Sequence, residues 1–141
     1  MISKEQGLLA LEALLRPLMA VHSLKLFKRD IDFQVTEEYM PCLLIIEGDD
    51  TIIKTAGRSY ISYPCIRQAE IVVEVWEAST GDVRTFRNNV IQRAFANGPQ
   101  LLPGVVIKEQ KTTGPFNMGI YGYLGMQIHF LMTYPDNTTI I

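Results

Sequence analysis

From Ala69 the chain alternates. Ala69, Ile71, Val73 and Val75 are apolar, and Gln68, Glu70 and Glu74 between them are polar, with Val72 and Trp76 the exceptions. A period of two over this length predicts a strand, Ile66 to Trp76, with one dry face. Ser79-Thr80-Gly81-Asp82 then ends the alternation and offers side-chain oxygens for a helix N-cap. Val83, Phe86, Val90, Ile91, Ala94 and Phe95 recur at helical spacing as far as Asn97-Gly98-Pro99, where glycine can turn left-handed and proline cannot continue. The helix's apolar stripe needs a surface, and the odd face of the preceding strand is the nearest one.

The same pattern recurs at both ends of the chain. Ser3-Lys4-Glu5-Gln6 fits a capping box. Leu8, Leu11, Leu15, Leu18 and Met19 follow on one helical face, and Pro17 should end or kink that helix near Arg16. Ile31, Phe33 and Val35 alternate with polar residues, so a short strand is expected there, whereas Lys25 to Asp30 has no clean period. Pro41 to Glu47 is a continuous apolar run of strand length. Gly48-Asp49-Asp50 reads as a turn, with Thr51 to Lys54 pairing back across it, and 55–64 reads as a loop. Val105 to Lys108 is a strand that ends at Thr112 to Pro115. In the final strand Leu124, Met126, Ile128, Phe130 and Met132 share one face, and Tyr123, Gln127, His129, Leu131 and Thr133 share the other. Pro135 should end its ladder, leaving 135–141 as a short tail. These elements predict an α+β fold: an antiparallel sheet of about four to five strands with two helices packed on one face.

At 141 residues this is most simply one domain, 1–141, large enough for a core without staples. A net charge of −2 gives no general attraction to nucleic acid. No apolar run approaches the ~18 residues of a membrane helix, and Glu5, Glu12, Arg16 and Pro17 interrupt the only stretch resembling a signal peptide. A soluble protein made in the cytosol is expected. Cys42 and Cys65 sit in or beside apolar runs and read as buried free thiols rather than a disulfide.

Candidate chemistry is thin. His22 and His129 lack the neighbouring nucleophile and acid that a general base works with. Cys42, Cys65, His22 and His129 lack metal-ligand spacing. Glycines 119, 122 and 125 lie in an aromatic context, not between a strand and a helix start, so they do not form a phosphate cradle. No catalytic, cofactor-binding or metal-binding residue is assigned.

Taken together, the N-terminal amphipathic helix, the Pro41 to Glu47 strand, the Ile66 to Trp76 strand feeding its helix, the strand after Leu101-Leu102-Pro103-Gly104 and the final strand ending at Tyr134-Pro135 resemble the tail terminator (tail-completion, minor tail) proteins of long-tailed bacteriophages. The resemblance rests on size, element order and texture over nearly the whole chain; 24–40 and 55–64 do not align. It implies a structural virion protein, assembled in the host cytoplasm, that forms a hexameric ring. Such a ring caps the tail tube, ends its polymerisation and meets the head or neck proteins, while the genome passes through the bore. It implies no catalysis, no cofactor and no membrane. A head-to-tail connector of the neck is the nearest alternative, and a small ligand-binding or enzymatic α+β domain is a more distant one.

A ring needs apolar surface beyond each subunit's own core. Trp76, Tyr123, His129 and Leu131 on the face away from the helices are expected at the subunit interface. Met118 and Tyr121 in the glycine-dotted loop and Ile140 and Ile141 in the tail are expected there too. Glu70 and Glu74 are expected at the rim or facing the bore, where an acidic lining would repel DNA.

Overall fold

Pro17 sets the first boundary. The computed structural model describes residues 4–29, 36–55, 62–117 and 122–139, with the side chains of 62–64 and 137–139 left aside. Helix α1 (Lys4–Leu15) stops just before Pro17, and a four-residue helix α2 (Leu18–Val21) follows it. Proline offers no N–H to the helical ladder, so the chain restarts instead of continuing. There follow β1 (Leu26–Lys28), a 3-10 turn (Glu37–Tyr39), β2 (Cys42–Thr55), β3 (Ser62–Glu77), α3 (Thr80–Ala94), β4 (Ala96–Leu102), β5 (Val105–Phe116) and β6 (Leu124–Thr139).

The six strands form one sheet in the order β1-β2-β3-β6-β5-β4. β1 runs parallel to β2, and every other pairing is antiparallel. The α+β class holds, but the sheet is six-stranded and mixed rather than antiparallel with four to five strands. The two unforeseen strands are the edges. β1 is three residues long and β4 occupies the stretch read as a helix stop. Short edge strands are held by backbone pairing and need no two-residue period.

Both longer helices cover one face. Within the stretch expected to cap α3, Ser79 is the cap, its hydroxyl accepting from the Asp82 amide at 3.1 Å. Leu8, Leu11 and Leu15 of α1 and Val83, Phe86, Val90 and Ala94 of α3 pack onto Ala69, Ile71, Val73 and Val75 of β3 and Ile128, Phe130 and Met132 of β6. In register, Ile71 stands opposite Phe130 and Val73 opposite Ile128.

The strands run further than their sequence boundaries. β2 passes through Gly48-Asp49-Asp50 without turning, absorbing the extra length in a bulge between Glu47 and Asp50. β6 passes through Pro135 to Thr139. Pro135 lies beyond the last β5 pair, Val106 with Thr133, so β6 is an edge there and the missing N–H is tolerated. The expected strand over 31–35 lies outside the described residues.

The extra length builds an arm. β2 is exposed from Glu47 to Thr55, where it pairs with the first half of β3. A charged network roots the arm beside α1. Lys4 Nζ lies 3.2 Å from Glu47 and 3.5 Å from Asp50, the Tyr134 hydroxyl donates to Asp50, and Arg67 Nε donates to Asp136 at 2.7 Å. Burial, and then the bond to Asp50, pushes the Tyr134 phenol well above its ordinary value.

Val73 is fully buried at the centre of this core. Val73→Asp would place an unpaired carboxylate there, at a cost of about 4 kcal/mol or more. The variant is expected to be insoluble or to lose its cooperative melt by circular dichroism. A near-normal melting temperature would overturn this orientation of the sheet.

Candidate functional site

The face of the sheet turned away from the helices carries most of the expected contact residues. At one end it is a small second core. Trp76, only 2% exposed, packs with Met40 and Cys42, and Leu26, Phe116 and Tyr123 close around them. The Trp76 and Phe116 rings meet edge to face, with centroids 5.5 Å apart. Gly125 lies beneath both rings. A Cβ there would stand 2.6 Å from Phe116 Cε2 and 2.8 Å from Trp76 Cζ2, so only glycine fits without displacing them.

Glu74 is covered beside this cluster. It is 8% exposed, and each oxygen accepts a hydrogen bond, one from Trp76 Nε1 at 3.0 Å and one from Gln127 Nε2 at 2.8 Å. Two expectations change here. Trp76 gives its surface to its own chain, packed against Met40 and Cys42. Glu74 is not a rim or bore residue but a buried carboxylate with partners. The physical reason is pairing: β6 sets Gln127 opposite Glu74, and the indole N–H turns back two residues along the strand. Burial also pushes the Cys42 thiol up to about 12, with the Glu74 charge adding to it, which leaves that thiol a poor nucleophile.

The other end of this face is open. Its cross-strand rows read Val72, His129, Lys111 and then Glu70, Leu131, Lys108. Val72, His129 and Leu131 are half-buried, while Glu70, Lys108 and Lys111 are exposed. Among the described residues the strands here carry lysines beside Glu70, so this face is not the acidic lining expected from β3 alone. His129 Nε2 lies 3.3 Å from the Thr113 hydroxyl. Its pKa is lowered, chiefly by burial and then by Lys111, while Glu70 works weakly against both. Tyr123 is half-buried on the Trp76 cluster. Met118, Tyr121, Ile140 and Ile141 lie outside the described residues.

A second feature lies on the helix side and had no signal in the sequence. His22 stacks on Phe86, with ring centroids 4.0 Å apart and planes 10° from parallel. Its Nδ1 lies 3.2 Å from Glu77 Oε1, and its Nε2 lies 3.0 Å from the Asn89 amide nitrogen. The neutral tautomer that satisfies both contacts carries its proton on Nδ1 and donates to Glu77. The imidazole lines a groove of about 380 Å³ together with Val21, Glu77, Asp82, Thr85 and Asn89. These residues are far apart in sequence, and only the fold brings them together. Among the described residues no three histidine, cysteine or carboxylate side chains are placed to hold a metal ion, and no helix is long and apolar enough to cross a membrane.

No protein-family model matches the sequence. No curated protein matches it. Solved structures do. A chain from the virion of a native gene transfer agent (GTA) particle superposes with a TM-score of 0.51 at 10% identity, over 91% of this chain and 93% of that one. At this identity the match establishes the fold alone. The type 4 fimbrial biogenesis protein PilO from Pseudomonas aeruginosa gives a TM-score of only 0.24, at 14% identity over 65% of this chain and 57% of that one, and carries no argument.

Two outcomes follow from the open face and its small core. Trp76→Ala empties a buried pocket and strips Glu74 of a donor, so it should destabilise the isolated subunit by about 3–5 kcal/mol in denaturant titration. An unchanged midpoint would return Trp76 to the surface. His129 has a folded pKa below its ordinary value of 6.5. The unfolded chain therefore takes up its proton first as pH falls. The stabilisation is complete above that value and is lost as pH drops through the folded pKa. Thermal midpoints from pH 8 to pH 5 should fall more steeply for the wild type than for His129→Gln, and parallel curves would refute this.

Proposed function

We propose that the chain is a structural virion protein that assembles as a ring of six at the end of a tail tube. There it ends tube polymerisation and joins the tail to the head or neck, with the genome passing through the bore. The observation that carries this reading is the fold shared along nearly the full length of both chains with a component of the GTA virion. The element order supports it independently, because a long strand feeding a helix, flanked by a second helix and a final long strand, is the arrangement seen in tail terminators. In this reading the partners are copies of the same chain, the tail tube protein and the neck proteins, and the work is done by shape and contact without catalysis or a cofactor.

Native mass measurement and negative-stain microscopy test the assembly, and deletion from the parent particle tests the role. The expected results are a six-subunit ring from purified protein and tails of uncontrolled length, detached from heads, when the protein is missing. A monomer at every concentration together with normal tails in its absence would refute the proposal.

A further inference from the structure

The arm and the groove complement each other in chemistry and lie too far apart to meet within one subunit. Near the far end of the arm, Ile52 is 39% exposed and Ile53 is 51% exposed. Ile53 sits in the second bulge of β2, between Ile52 and Lys54, so it is displaced from the regular ladder. Lys54 is exposed next to it and has no ion pair among the described residues. The groove shows the opposite charge. Glu77 and Asp82 line it without a lysine or arginine, and Val21 at its lip is 66% exposed, the most exposed large apolar side chain among those described.

Both features sit on β3, one at each end. Lys54 stands near Ile66 in the β2–β3 register, and Glu77 is the last residue of the strand. The stretch from Ile66 to Glu77 spans on the order of 35 Å at roughly 3.3 Å per residue. An arm therefore cannot reach the groove of its own chain.

We propose that the Ile52 to Lys54 stretch of the arm docks in the α2–α3 groove of a second copy of this chain, with Ile53 against Val21 and the Lys54 ammonium facing Glu77 and Asp82. Such a contact joins two different surfaces, so each subunit gives one arm and receives another. It propagates from copy to copy and closes into a ring where the rotation per subunit allows. It covers the apolar side chains at both places, which a contact of either surface with itself would not do. The inference rests on the reading of the chain as a ring subunit and names the contact that would hold the ring.

Val21→Cys and Ile53→Cys place thiols at exposed positions, while the native Cys42 and Cys65 are buried. Under mild oxidation, an equimolar mixture of the two single variants should give disulfide-linked dimer at least tenfold above either variant alone or the wild type. Adding Lys54→Glu to the arm variant should cut that yield severalfold, and Lys54→Arg should preserve it. Equal crosslinking in the separate variants would mean a symmetric contact and would overturn the proposal. So would the absence of adduct in the mixture, including the case in which Val21→Cys captures a different particle protein during assembly. The doubly substituted chain separates the two readings. A covalent ladder that closes at six supports both. A ladder that runs on without closing keeps the contact and removes the ring. No ladder from protein that still sediments as a ring keeps the ring and removes the contact.

Discussion

The dry face of β3 is the constraint on which the other placements depend. Ala69, Ile71, Val73 and Val75 are fully buried in the middle of the sheet, hydrogen-bonded to β2 on one side and β6 on the other. A strand satisfied on both edges can bury its remaining apolar surface only from above. α3 follows it after a two-residue link and folds back onto it, and α1 fills the space beside α3. The break at Pro17 suits this arrangement. It lets the chain leave the helical layer at α2 and enter the sheet as β1.

The opposite face answers a different demand. It must bury an indole without stranding a carboxylate. Glu74 beside Trp76 would be costly if each were buried alone, since an unpaired charge loses several kcal/mol of hydration. Here the indole N–H and the Gln127 amide each donate to one Glu74 oxygen, so the acid is covered and hydrogen-bonded at once. Gly125 leaves room for both rings of the edge-to-face pair to approach the strand closely. The result is a small core at one end of the face and an open, mixed-charge surface at the other.

How much was legible follows from how local each cause was. The alternation of β3 and the apolar spacing of α3 lie within single elements. Their burial, their shared face and a cap within 79–82 could be read directly. The edges β1 and β4 were not legible, because backbone pairing with a neighbour holds them. The run of β6 through Pro135 depends on where β5 stops, which no pattern around Pro135 shows. For the sites, Glu74 and Trp76 were singled out correctly as an anomaly on a polar face. The outward placement expected for them overlooks Gln127, which lies on another strand and satisfies Glu74 where it is covered. The His22 groove needed contributions from α2, β3 and α3 at once, and a lone histidine at the end of a helix gives no hint of them.

The register of the central pair also bears on how the subunit forms. β2 and β3 are neighbours in sequence and can zip together as a local hairpin. β3 and β6 cannot, because Trp76 pairs with Gly125 and Ser62 with Thr139, and α3, β4 and β5 all intervene. Pairings this distant pay a large loop-closure cost before any contact rewards them, and topologies rich in them fold slowly. During that delay the β6 side of β3 is an unpaired edge bordering a bare apolar face. A subunit of this design, if it assembles, must therefore mature before it meets its neighbours, for an early encounter would offer another chain's strand the place that belongs to β6.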